Sequence, residues 1–254
     1  MSSQQRIALI TGGNRGIGRS TALALAADGV DSVITYRSHP EEAEAVVAEL
    51  RALGRDAAAL QLEVGDVSTF GPFAEALAAT LRETWGRDTF DYLVNNAGNG
   101  STTGLAEVTE EEFDRLIDIH YKGPLFLTQR LVDLIADEGS IVNVSSTLVR
   151  VTWPKRIAYA SVKGAVEVLS RYMAAELGPR GINVNTVAPG AVATDFNDGV
   201  VRGTPAMQEA LAGITALGRY AIADDIGPVI ASLLSDSNQF VTGQRVEASG
   251  GMHV

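Results

Sequence analysis

Arg6-Ile7-Ala8-Leu9-Ile10-Thr11-Gly12-Gly13-Asn14-Arg15-Gly16-Ile17-Gly18 is the stretch that decides the fold. Arg6–Thr11 is a short apolar run of the kind that forms a strand buried on both faces. The glycine-rich turn after it opens directly into a helical run, Arg19–Asp28. A strand, a glycine turn and a helix form an entry that cradles phosphate. Glycines let the backbone turn tightly and approach a pyrophosphate, whose charge meets the N–H groups at the helix N-terminus. The spacing Gly12-x-x-x-Gly16-x-Gly18 differs from the commoner G-x-G-x-x-G. Gly13–Ser20 nearly matches a P-loop, but Arg19 stands where that motif requires lysine. Taken alone, the loop is weak evidence for any one nucleotide.

Outward from this turn, β-rich runs recur at Ser32–Tyr36, Ala57–Leu62, Tyr92–Val94, Ser140–Val144, Asn183–Val187 and about Gln244–Glu247. Helical periodicity fills the intervals, notably Glu41–Leu53, Phe70–Trp85, Glu110–Ala136 and Ile157–Leu177. Strands alternating with helices predict βαβ units and a parallel sheet. An open doubly wound sheet and an eight-unit barrel both suit that alternation, and the phosphate-cradling turn at the chain start selects the open sheet. The expectation is one α/β domain over residues 1–254, with about seven strands and helices on both faces. No Pro/Ser-rich linker, charge block or internal repeat divides the chain. The acidic clusters Glu41-Glu42-Ala43-Glu44 and Glu110-Glu111-Glu112 read as solvated helix starts, favoured by the helix dipole.

Composition narrows the function. The 254 residues are 46% hydrophobic and 20% charged with 8 prolines, which excludes global disorder. Twenty basic residues against 31 acidic ones give a net charge of −11, a field that repels phosphate backbones. No nucleic-acid or membrane partner is expected. The chain has no cysteine, so disulfides, thiolate nucleophiles and zinc–cysteine sites are excluded. His39 and His253 stand in no metal-ligand spacing, and no metal is expected. There is no Gly-x-Ser-x-Gly elbow of an α/β-hydrolase. No apolar run reaches the roughly 18 residues of a membrane helix, and Met1–Arg6 leads into a β-like run instead of a signal-peptide core. A soluble, intracellular and cytoplasmic protein is the default expectation.

Two further motifs carry chemistry. Asn95-Asn96-Ala97-Gly98 follows the apolar strand Tyr92-Leu93-Val94, and ligands of a parallel sheet bind beyond the carboxyl ends of its strands. Tyr159-Ala160-Ser161-Val162-Lys163 starts a helix and puts Tyr159 and Lys163 on one face. A lysine beside a phenol favours the phenolate and pulls its pKa down from about 10, which makes an acid/base for neutral pH. Ser146 ends the strand Ile141-Val142-Asn143-Val144 and reaches the same sheet edge.

In register, these motifs resemble the short-chain dehydrogenase/reductase family, and more narrowly its short, 3-oxoacyl reductase-like, NADP-preferring members. The matching segments are Thr11–Gly18, Asn95–Gly98, Ser146, Tyr159 with Lys163, and Pro189-Gly190 with Thr194 following. The resemblance implies hydride transfer between a nicotinamide and a small carbonyl/alcohol substrate. It implies Tyr159 as general acid/base, Lys163 as the group that lowers its pKa and holds the ribose hydroxyls, and Ser146 as hydrogen-bond donor to the reacting oxygen. Gly12, Asn14, Arg15, Gly16, Ile17 and Gly18 would form the cofactor's cradle, and Asn95, Ala97 and Gly98 would line its path. Pro189, Gly190, Val192 and Thr194 would meet its carboxamide end. Where many members have an asparagine that anchors a relay water, this chain has His120, which either holds the same water or is a hydrogen-bonded helix histidine. At the adenine, Glu63-Val64 stands for the family's Asp-Val pair, with Asp66-Val67 as the alternative.

The second strand ends at Arg37-Ser38, with no acid to bind the ribose diol of NAD. Arg37 and Arg15 would instead fork onto a 2′-phosphate, which predicts NADPH in preference to NADH. Substrate contacts are expected from Ser101–Gly104, Leu148–Trp153 and Asp195–Leu211, with a lid over about residues 195–212 that contains Gly199, Gly203 and Pro205. Leu148, Val149, Val151 and Trp153 suggest an apolar wall, though they equally suit a core. By resemblance the chain is a homotetramer built on its long helices, where Leu125, Phe126, Val166 and Leu169 exceed one core-facing stripe. Two rival functions are a sugar-nucleotide epimerase or dehydratase, whose Gly-x-x-Gly-x-x-Gly loop and longer C-terminal domain are lacking here, and a catalytically silent NADP-binding sensor or interaction protein. Retention of Ser146, Tyr159 and Lys163 argues against silence.

Overall fold

The computed structural model describes residues 5–196 and 199–254; positions 1–4 and, within the expected lid, 197 and 198 lie outside the described residues. Its strands are β1 Ile7–Ile10, β2 Asp31–Tyr36, β3 Ala57–Gln61, β4 Phe90–Asn95, β5 Ile135–Val144, β6 Asn183–Pro189 and β7 Arg245–Ala248. The helices are α1 Gly16–Ala27, α2 Pro40–Ala52, α3 Phe70–Trp85, α4 Glu110–Ile117, α5 Gly123–Leu131, α6 Ile157–Leu177, α7 Val200–Gly203, α8 Pro205–Gly213 and α9 Gly227–Leu234. All strands run parallel in one sheet, in the order β3-β2-β1-β4-β5-β6-β7. The expected open, doubly wound, single-domain α/β fold is what forms.

The two-residue period of a strand explains the two layers. In β1, Ala8 and Ile10 join a core with α1, α2 and α9, through Leu25, Val46 and Ile230. Ile7 and Leu9 point the other way, into a core with α3, α5 and α6, where Phe73, Leu127 and Met173 pack. The run is buried throughout because both faces are covered. The chain leaves β1 toward one side and β4 toward the other, so the C-terminal ends of these adjacent strands diverge into a crevice.

One expected element is broken. The periodic stretch Glu110–Ala136 is α4, a wider π turn at Asp118–Lys122, and α5, after which β5 has begun by Ile135. Pro124 has no N–H to give the carbonyl of His120 four residues back, and a β-carbon on Gly123 would crowd the Val64 carbonyl oxygen at 2.7 Å. The ladder therefore widens just where His120 faces the crevice. Ala136, expected to end the helix, lies instead in the irregular start of β5, which has a register shift against β4 and Glu138 in the left-handed region. The four residues expected to mark an oligomer face are also differently used: Val166 and Leu169 are buried, and Leu125 and Phe126 pack against the same core. On α6 it is Val168 and Tyr172 that face outward.

Candidate active site

A cleft of about 580 Å³ follows the C-terminal ends of the strands from β3 to β6. It brings together Gly12, Asn14, Arg15, Gly16 and Ile17 from the first turn with Arg37 and Ser38 after β2 and Glu63 and Val64 after β3. Ala97 and Gly98, His120, Ser146, Tyr159 and Lys163, and Pro189, Gly190, Val192 and Thr194 complete it. Gly18 and Asn95 do not line it.

The glycine turn is stitched to both neighbours. Gly13 N–H donates to the Thr35 carbonyl at 2.9 Å and Gly12 N–H to the Thr35 hydroxyl at 3.2 Å. The Thr11 hydroxyl oxygen accepts from the N–H groups of Asn96 and Ala97, each at 3.0 Å. Gly18 supports from beneath: a β-carbon there would overlap the Gly12 carbonyl oxygen, so α1 can lie against the turn only with glycine at this position. No side chain caps α1, and its first-turn N–H groups remain for an anionic ligand. Uncapped donors beside a turn with no room for a side chain are the donor set a pyrophosphate requires.

Asn95 is a correction. Its amide donates to Asn143 Oδ1 at 2.8 Å, and Asn143 donates to the Ser170 hydroxyl at 2.8 Å, a buried chain under the cleft floor. Asn95 and Asn143 are register partners on β4 and β5. The residue that faces the cleft is Asn96, whose amide donates to the carbonyls of Thr11 at 2.9 Å and Gly12 at 3.2 Å. Strand alternation was the available signal: of two successive asparagines at a strand end, only one follows the ligand face.

At the far end of the cleft Arg15 and Arg37 are both present, and Arg37 Nε lies 3.8 Å from Glu63 Oε2. Asn14 donates to Glu42 Oε2 at 2.7 Å, which ties the turn to α2. Of the two adenine-side alternatives, Glu63 lies in the cleft. Asp66 instead caps a short turn, accepting from the Ser68 N–H at 3.0 Å.

At the near end, α6 carries Tyr159 and Lys163 one turn apart, both buried. Lys163 Nζ donates to the Val144 carbonyl at 2.7 Å and sits 5.7 Å from the centre of the Tyr159 ring. Burial brings its pKa down to about 7. The same burial pushes the Tyr159 phenol up, against smaller opposing effects of the Ser146 hydrogen bond and the Arg156 charge. The phenol therefore lies above its ordinary value instead of below it: loss of water outweighs the Ser146 hydrogen bond and the Arg156 charge, and the Lys163 amine is directed to a carbonyl. His120 packs edge-on against Tyr159, ring centres 5.4 Å apart, and its Nε2 donates to the Asn99 carbonyl at 2.7 Å. Burial first and Lys163 second hold its pKa well below the ordinary value, so the ring is neutral, and Nδ1 has no partner. Gly98 makes room for it, since a β-carbon there would overlap His120 Cε1.

Sequence reasoning missed Arg115, which also lines this end, whereas Phe196 lines it from within the expected substrate stretch Asp195–Leu211. The Phe196 ring centre is 6.1 Å from that of Tyr159, and Asp195 pairs with Arg202 at 2.6 Å. Leu148 packs on the buried cluster of Leu116, Ala158, Tyr159 and Val162 beneath the near end. Among the described residues no group of side chains suits a metal ion, and no helix is long and apolar enough to cross a membrane.

A family model described as enoyl-(acyl carrier protein) reductase matches residues 12–253. The chain is 38% identical to an uncharacterised oxidoreductase of Methylorubrum extorquens over 247 residues, 97% of either chain. It is 36% identical to a 3-oxoacyl-(acyl-carrier-protein) reductase of Staphylococcus aureus over 250 residues, 97% of this chain and 98% of that one. Its fold matches the crystal structure of the angucycline C-6 ketoreductase LanV with bound NADP at a TM-score of 0.92 and 35% identity, covering 98% of this chain and 95% of that one.

Proposed function

The chain belongs to the short-chain dehydrogenase/reductase family of NAD(P)-dependent oxidoreductases, and on that premise we propose that it reduces a small carbonyl compound with NADPH, with Tyr159 as the general acid. The observation that carries this reading is the burial of Ser146, Tyr159 and Lys163 at one end of a cleft whose other end holds Arg15 and Arg37. NADPH, when bound, supplies the hydride. The uncapped N-terminus of α1 and the Gly12–Gly16 turn receive its phosphates, and Arg15 and Arg37 receive the 2′-phosphate. Tyr159 gives its proton to the substrate oxygen, and the Ser146 hydroxyl donates a second hydrogen bond to it as charge develops. A phenol that burial keeps protonated suits the reductive direction, in which it must donate. Lys163 then offsets the phenolate left behind.

Phe196 favours an apolar group beside the reacting carbonyl, and the stretch over 195–212 is read as a lid that excludes water. The experiment is a panel of ketones, aldehydes, quinones, 3-oxoacyl thioesters and steroids, followed by consumption of NADPH. Tyr159→Phe should lower kcat about a hundredfold or more while NADPH affinity is kept. Turnover of Tyr159→Phe at the wild-type rate would refute the acid/base role.

A further inference from the structure

Behind the catalytic residues lies a cluster of charges that the proposed chemistry does not use. Arg245, at the start of the edge strand β7, has a side chain 9% exposed and meets Glu167 of α6, 11% exposed, through Nε–Oε1 at 2.6 Å. Its Nη1 meets Glu247 Oε2 at 2.7 Å. Its Nη2 donates to the backbone carbonyl of Ser146 at 3.3 Å. The residues on either side of Ser146 are held by the two carboxylates that flank Arg245. The Ser145 hydroxyl donates to Glu167 Oε1 at 2.8 Å, and the Thr147 hydroxyl donates to Glu247 Oε1 at 3.0 Å. Ser249 supplies a further donor to Glu247 at 2.8 Å.

Three consecutive residues are thus gripped, Ser145 and Thr147 by their hydroxyls and Ser146 by its carbonyl. The grip reaches the reacting helix as well, because Glu167 follows Lys163 by four residues and Tyr159 by eight, on one face of α6. Burial disfavours the Glu247 charge, yet hydrogen bonds from Arg245, Ser249 and Thr147 hold its pKa below the ordinary value. A buried ion cluster is weak evidence of stability, since apolar residues of similar volume often do as well. What apolar residues cannot supply is direction. We propose that Arg245, held between Glu167 and Glu247, is a positioning residue that fixes the backbone of Ser145–Thr147 and thereby sets the Ser146 hydroxyl against Tyr159.

This proposal rests on the reductase reading for its kinetic arm but not for its structural one. Arg245→Met should lower kcat about tenfold, with the dissociation constant of NADPH within twofold of wild type, and Arg245→Lys should restore only part of the loss because it lacks the fork. In a Ser146→Ala background, Arg245→Met should cost less than a further twofold, since the two act through one group. Thr147→Val and Ser145→Ala remove single grips without stranding a buried charge, so they remain informative if Arg245→Met does not fold, and each should lower kcat severalfold. Hydrogen–deuterium exchange of the 144–149 segment should speed up in Arg245→Met, or in Thr147→Val, whether or not a carbonyl substrate has been found. A wild-type protein inert toward every carbonyl defeats the reductase reading, and the exchange measurement alone then decides the positioning. Unchanged exchange, or full additivity of Arg245→Met and Ser146→Ala, would overturn it.

Discussion

Lys163, which the proposed reduction assigns to the Tyr159 phenolate, shows what a buried charge costs the fold. Its ammonium is buried with a single carbonyl as partner, and its pKa falls to about 7 from an ordinary value of 10.5. The folded chain therefore releases this proton before the unfolded chain does, and stability rises with pH between those values. The destabilisation is present in full below pH 7 and fades as pH climbs toward 10.5. Lys163→Met, which fills the same space without charge, should melt a few degrees higher than wild type at pH 6, on a scale of roughly 2–4 °C per kcal/mol for a domain of this size. The difference should shrink as the buffer approaches pH 10, while turnover is lost at every pH. A Tm gap that is constant across pH, as thermal denaturation would record it, would show that the lysine is not buried as a charge. His120 behaves differently: its neutral ring donates from Nε2 to the Asn99 carbonyl and packs edge-on against Tyr159, while Nδ1 is buried without a partner among the described residues.

Among the elements, α6 has the most varied duties. Its inward face supplies Val162, Val166 and Met173 to the core together with Tyr159 and Lys163, and its outward face shows Val168 and Tyr172 to solvent. Exposed β-branched and aromatic residues four apart form one patch along the helix. Covering that patch is the physical argument for the tetramer that we propose, and Phe240 lies fully exposed in the segment before β7. Light scattering at micromolar concentration should read four chains, and Val168→Asp with Tyr172→Asp should lower the mass by burying like charges at the contact. A monomer in the wild-type protein would rule the assembly out. The interrupted helix of α4, the π turn and α5 illustrates the opposite case, in which one long periodic stretch serves two packing directions because Pro124 releases the His120 carbonyl.

For the whole molecule, the −11 net charge makes a local pair of cations informative. Arg15 and Arg37 both line the cleft, and Glu63 Oε2 stands 3.8 Å from Arg37 Nε. NADPH should therefore show the higher kcat/KM, and Arg37→Asp should bring the two cofactors together mainly through KM; equal kcat/KM for NADPH and NADH in the wild-type protein would end this assignment. The strand–turn–helix at Arg6–Gly18, the alternation after it, and the Tyr159/Lys163 spacing are local patterns, and local backbone preference with two-residue or 3.6-residue burial is enough to specify them. The parallel sheet with helices on both faces, and Ser146 at a strand end on the same sheet edge as Tyr159, followed from the same signals, while the strand order did not. Whether Glu63 or Asp66 enters the cleft, the sign of the Tyr159 shift, and the charge cluster that grips Ser145–Thr147 were settled only by tertiary structure. Each depends on which groups, far apart in the chain, exclude water from one another, as Arg245 does for a serine 99 residues away, and no local pattern encodes that distance.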